Sequence, residues 1–141
     1  MPQVLVELTR AECMALLSEG DFGRVVVSTG GSQIPMIRPV TYRFDAASQS
    51  IVFRTVEGSK FHTLVHSGRA GFEIDGHDRD AGSGWSVIVI GTAELITRAA
   101  EIDRLARLHF STWPDGSRLH WVRIRTRTVS GRRLVPAGEP S

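Results

Sequence analysis

Between Arg24 and Thr128 the chain passes through successive stretches rich in Val, Ile and Thr, and helical patterning does not alternate with them regularly. A parallel doubly wound sheet needs a crossover helix after nearly every strand, so this order argues against that class and leaves an antiparallel sheet. Arg24 to Ser28, Gln33 to Phe44, Ile51 to Thr55, Ala70 to Asp75, Trp85 to Thr97 and Leu119 to Thr128 read as six strands. Pro35 and Pro39 interrupt the second of them. Proline cannot donate to a ladder, so that strand lies at an edge or carries a bulge or gap. Thr29-Gly30-Gly31-Ser32 reads as a tight turn and Gly76 to Gly84 as a polar loop.

Three short helices fit between these strands. Thr9-Arg10-Ala11-Glu12 has the capping-box pattern, followed by Cys13, Leu16 and Leu17 at helical spacing and by Gly20 as a stop. Ser59 to Ser67 is a short helix with Ser59 as N-cap, and Ala99 to Phe110 is a longer one with Ile102, Leu105, Leu108 and His109 on or near one face. The expectation is a mainly β fold: a six-stranded antiparallel barrel with a few short helices, one domain over residues 1–135, and a frayed, disordered tail over 136–141. A chain of 141 residues is long enough to bury a sizeable core.

Several function classes drop out on composition. Cys13 is the single cysteine, so no internal disulfide forms, which fits a reducing compartment. No apolar run is long enough to span a bilayer, and Met1 to Thr9 carries Glu7 and no basic leader. A cytoplasmic protein without a membrane partner is expected. The stretch from Arg104 to Arg133 holds eight arginines against one acid, Asp115, but no helix-turn-helix or ribonucleoprotein pattern accompanies it, so no nucleic-acid partner is expected. There is no G-x-G-x-x-G after a strand, no complete P-loop and no nucleophile elbow. His62 and His66 stand four apart, but Thr63 occupies the place where a zinc protease motif has glutamate. They read as ordinary helical histidines, with no metal site, and Cys13 reads as core.

The strongest constellation is Arg54-Thr55-Val56-Glu57-Gly58-Ser59-Lys60. A strand ends, a glycine loop follows, and a helix begins. Free backbone N–H groups there, the hydroxyls of Thr55 and Ser59, and the charges of Arg54 and Lys60 make an anion site suited to phosphate. Of the 17 basic side chains, Lys60 is the one lysine, and it falls in this segment.

Ile37-Arg38-Pro39-Val40-Thr41-Tyr42, Ile51-Val52-Phe53-Arg54-Thr55 and Gly58-Ser59-Lys60 resemble the FMN-binding split-barrel superfamily of pyridoxamine 5′-phosphate oxidase. Gly84-Trp85-Ser86-Val87 through Gly91-Thr92-Ala93-Glu94, and His120-Trp121-Val122-Arg123-Ile124 with Val129-Ser130-Gly131-Arg132, resemble its subgroup of small flavin-nucleotide-binding proteins. The likeness runs from about Thr9 to Leu134. It implies that Arg54, Thr55, Ser59 and Lys60 hold the FMN phosphate and ribityl chain. Arg38, Pro39, Val40 and Thr41 would lie along the isoalloxazine, and Trp85, Trp113 or Trp121 would reach the cofactor, in part from a second subunit. A homodimer with the flavin at its interface, acting as a flavin-dependent oxidoreductase on a small molecule, is the function implied. The oxidase itself carries Arg-Lys after the serine where this chain has Lys60-Phe61, and it has a longer C-terminal segment that grips its substrate. Its own reaction is therefore not the one expected here. A deazaflavin coenzyme in place of FMN, or a non-enzymatic dimer binding flavin or haem through His62, His66, His109 or His120, are the alternatives within the same fold.

Overall fold

A computed structural model describes residues 2–29, 34–65, 68–107 and 119–137. Along the chain run β1 (Gln3–Glu7), α1 (Arg10–Glu19), β2 (Phe22–Val27), β3 (Met36–Thr41), β4 (Arg43–Asp45), β5 (Ser50–Val56) and α2 (Lys60–Val65). These are followed by β6 (Arg69–Asp78), β7 (Ser83–Leu95), α3 (Ala99–Leu105), β8 (Leu119–Arg125) and β9 (Thr128–Pro136). All pairings are antiparallel, in the order β3-β2-β6-β7-β8-β5-β4, with β9 on β7 and β1 on β9. The sheet curls into a mainly β split barrel of nine strands rather than the six expected.

The long strand β7 makes the curl. It pairs with β6 as far as Thr92, and then Ala93 to Leu95 pair with β8. The crossing falls at Gly91, where a Cβ would stand 3.0 Å from the Arg125 carbonyl oxygen. Glycine is what lets the two strands approach so closely there. Inside, Val25, Val27, Ile51, Phe53, Phe72, Val87, Val89 and Ile124 form the main core, which Leu17 of α1 closes at one end. A second, smaller cluster of Val52, Ile96, Leu105 and Trp121 lies beneath α3.

The strand expected over residues 33–44 is two strands. At Tyr42 the chain leaves the β2 ladder: its N–H donates to Asp21 O at 2.9 Å, and its buried hydroxyl donates to Leu17 O at 2.7 Å. Pro39 sits opposite Arg24 on β3, which pairs on one side only, so the proline costs no ladder bond. Gly76 to Gly84 is largely a hairpin and not a loop, because the Trp85 indole covers Gly76 across the strands; a Cβ on Gly76 would stand 2.5 Å from Trp85 Nε1. The tight turn expected at 29–32 lies mostly outside the described residues, as do the end of the third expected helix and the loop after it.

Two strands were not expected at all, β1 and β9. Gly131, beyond the last strand expected, lies inside β9 opposite Val87. Its missing side chain leaves room for α1, since a Cβ there would meet Cys13 Sγ at 2.6 Å. β9 runs on through Pro136, which pairs with Gln3, and the Ala137 N–H donates to Pro2 O at 2.9 Å. The described part of the expected tail is therefore held by the N-terminal strand. Cys13 is buried in the core, as expected.

Candidate functional site

β5 ends at Val56, and the chain turns through Glu57 and Gly58 into α2. Gly58 has φ +82°, a conformation glycine adopts without strain. This turn delivers Ser59 to the N-cap position of α2. Its hydroxyl donates to Val56 O at 2.8 Å and accepts from the His62 N–H at 3.0 Å. The capping role expected for Ser59 is thus present, and its one hydrogen is committed within the turn. The Thr55 side chain is buried, with Oγ1 2.5 Å from His62 Nδ1. His62 lies against His120 with ring centroids 4.9 Å apart, and His120 Nε2 is 3.2 Å from Glu57 Oε1.

Opposite this turn stands β3. Between the two lies a cleft of about 210 Å³ lined by Arg38, Pro39 and Val40 from β3, Arg54, Thr55 and Val56 from β5, and Ser59 and Phe61 at the start of α2. Each arginine rests on an aromatic ring. Arg38 Cζ is 5.9 Å from the Phe61 centroid, and Arg54 Cζ is 5.4 Å from that of Trp121. Burial pulls the Arg54 pKa below its ordinary value, and a guanidinium remains charged even so. The cleft therefore carries two positive charges, Arg38 from β3 and Arg54 from β5, among the apolar side chains of Val40, Val56 and Phe61.

Six of the eleven sequence-expected residues, Arg38, Pro39, Val40, Arg54, Thr55 and Ser59, come together here although they lie on three separate elements. Lys60 is exposed at the first position of α2, beside the cleft rather than among its lining residues. Thr41 is paired with Phe22 at the end of β3 and does not line the cleft. Trp121 is buried behind Arg54, so it reaches the cleft through that guanidinium. Trp85 packs over Gly76 and does not line the cleft within one chain. Trp113, His66 and His109 lie outside the described residues. Val56 and Phe61 were not singled out from sequence. The sign of Phe61 was its place directly after the lysine, as the one apolar residue of the first helical turn. Among the described residues no group of three or more His, Cys, Asp or Glu is placed to hold a metal ion, and no helix is long and apolar enough to cross a membrane.

Residues 9–133 match the family model of pyridoxamine 5′-phosphate oxidase. The chain is 32% identical over 136 residues to an uncharacterized protein of Mycobacterium tuberculosis, covering 93% of this chain and 86% of that one. Among solved structures, it resembles the FAD binding protein from Mycobacterium smegmatis, with 30% identity, a TM-score of 0.81, and coverage of 94% of this chain and 100% of that one. It also resembles a conserved protein of unknown function from Corynebacterium diphtheriae, with 28% identity, a TM-score of 0.78, and coverage of 93% and 98%.

Proposed function

The chain belongs to the pyridoxamine 5′-phosphate oxidase family, and on that premise we propose that it binds a flavin nucleotide, FMN, with the phosphate end in the cleft between β3 and α2. The observation that carries this reading is the pair of guanidiniums, Arg38 from β3 and Arg54 from β5, in one cleft. Two oriented forks suit a phosphate dianion better than any neutral group. The exposed ammonium of Lys60 and the N–H groups of Lys60 and Phe61 at the start of α2, ahead of the His62 N–H that Ser59 already caps, complete the donor set. Ser59 and Thr55 act indirectly, by fixing the turn and by holding His62. The similarity to an FAD binding protein supports a flavin as the class of ligand.

A bound flavin supplies electron transfer at its ring, and the chain's part is to bind and orient it. An oxidoreductase acting on a small molecule is the activity this arrangement fits. The cleft, at about 210 Å³, is smaller than the roughly 300–1,000 Å³ of pockets that enclose a whole cofactor. It seats one end of the nucleotide, and a second copy of the chain would cover the rest. The outer face of the sheet favours that copy: Ile37 is 60% exposed, Ile88 42% and Ile90 36%, beside a groove of about 470 Å³ lined largely by Val26, Ala70, Gly71, Phe72, Ile88 and Ile90.

The test is titration of the purified chain with FMN, FAD, riboflavin and the deazaflavin coenzyme, followed by fluorescence. FMN should bind at least tenfold more tightly than riboflavin, and Arg54→Ala should abolish that preference. Equal affinity for riboflavin and FMN, or no uptake of FMN, overturns the phosphate assignment. Tighter binding of the deazaflavin transfers the site to that coenzyme.

A further inference from the structure

A second basic pocket opens where β7 passes from β6 to β8, with a volume of about 460 Å³. It shares no lining residue with the cleft at Arg38 and Arg54. Arg69 enters from the start of β6, and Arg125 and Arg127 flank the bend between β8 and β9. Among the described residues the only carboxylate in its lining is Glu94, whose Oε1 accepts from Arg125 Nε at 2.8 Å. Three guanidiniums against one carboxylate leave an excess of two positive charges. Thr92 and Thr128 add hydroxyl groups to the lining, which also includes Gly91. A Cβ at Gly91 would press on the Arg125 carbonyl at 3.0 Å, so glycine lets the strands cross beside the pocket. The Arg10 guanidinium, bonded to Thr126 O at 2.5 Å, anchors the backbone of this bend and brings a further positive charge beside it.

We propose that this pocket is a second anion site, for a small organic dianion such as a phosphate monoester or a dicarboxylate. The excess charge matches two negative charges. The arginines come from two separate parts of the chain, the start of β6 and the β8–β9 bend, so an anionic group can be held from both. Ile90, on the pocket's remaining wall, offers an apolar surface to the organic part of the ligand. The site shares no lining residue with the flavin cleft, while Arg69 and Ile90 lie at its border with the apolar groove of the outer sheet face.

The experiment uses the full chain carrying Arg54→Ala, so that the first cleft is weakened whatever it binds. Phenyl phosphate and phthalate are titrated calorimetrically, with sodium chloride matched for ionic strength as the reference. Saturable binding is expected, at least tenfold weaker when Arg69→Ala and Arg127→Ala are added and restored to within a few-fold by lysine at the same two positions. Both side chains are exposed, so thermal unfolding of these variants should match that of the parent. A preference for phenyl phosphate assigns a phosphate monoester and a preference for phthalate a dicarboxylate. The proposal is overturned if heats do not exceed those of chloride, or if removing both arginines leaves the affinity unchanged.

Discussion

Arg54 and Trp121 are register partners across β5 and β8, and the guanidinium carbon of Arg54 lies 5.4 Å from the centroid of the Trp121 ring. The contact places a planar cation on an aromatic face, an interaction worth about 0.5–2 kcal/mol. Trp121 is itself set by packing on Val52, Ile96 and Leu105. The chain of support therefore runs from the small core cluster through the indole to the charge in the cleft.

This arrangement separates charge from orientation. Arg54→Lys keeps the charge but loses the flat fork, so FMN affinity should fall several-fold while stability changes little. Trp121→Ala should cost about 3–5 kcal/mol of unfolding free energy, as deletion of a buried large aromatic does. Trp121→Phe should keep most of the stability and a ring under Arg54. Denaturant unfolding with FMN titration of all three distinguishes the roles, and a fully stable Trp121→Ala protein contradicts the packing described here.

Ser59 sits at the site but works on the backbone. Ser59→Ala removes the acceptor for the His62 N–H and should cost about 1 kcal/mol, whereas Ser59→Gly should cost only a few tenths. Because the serine hydrogen is already given to Val56 O, the loss of FMN affinity in Ser59→Ala should be smaller than in Arg54→Ala. A larger loss would mean that the hydroxyl turns toward the ligand.

Six of the residues that line the candidate cleft were legible because they are adjacent in sequence or lie on a strand marked by proline. Arg54 to Lys60 form a strand end, a glycine turn and a cap, all of them local signals. Pro39 marked its strand as lying at an edge or carrying a bulge or gap, and β3 is the end of the sheet order and lines the cleft. What was not legible depended on distant partners. β1 is a strand because β9 pairs with it from the other end of the chain, with Gln3 opposite Pro136 and Glu7 opposite Arg132. Gly76 looked like a loop residue and Gly131 fell beyond the last expected strand, yet each is small because something packs on it, Trp85 in one case and Cys13 in the other. A glycine selected for close approach and one selected for a turn look the same in a single sequence.

The apolar outer face gives a prediction about assembly. Ile88 and Ile90 point outward from β7, and a charge on either would be buried without a partner if a second copy covers them. Ile88→Lys should shift the chain toward monomer in sedimentation at micromolar concentration and lower FMN affinity with it, while the monomer's helix and strand content stays intact by circular dichroism. An Ile88→Lys chain that remains dimeric places the interface elsewhere.

Two acids should shape stability in opposite senses as pH changes. Glu73 is pushed up from its ordinary value of 4.5 to about 6, first by burial and then by the neighbouring Asp75, with Arg24 opposing from 3.3 Å. The folded chain therefore holds the Glu73 proton more tightly than the unfolded chain does. Its stabilising contribution is complete below about pH 4.5 and is lost as pH rises through about 6. Asp45 behaves in reverse. Arg104 grips both its oxygens at 2.7 and 3.0 Å, and with help from Ser48 this holds its pKa below the usual carboxylate range despite burial. Its contribution is present above the unfolded value near 3.8 and is lost as pH falls through the lower folded value. Chemical denaturation from pH 3 to 7 should show Glu73→Gln removing the decline between pH 4.5 and 6 while leaving the acid limb, and Arg104→Ala weakening the acid limb alone. A Glu73→Gln profile that still declines across that interval would assign the titration to another group.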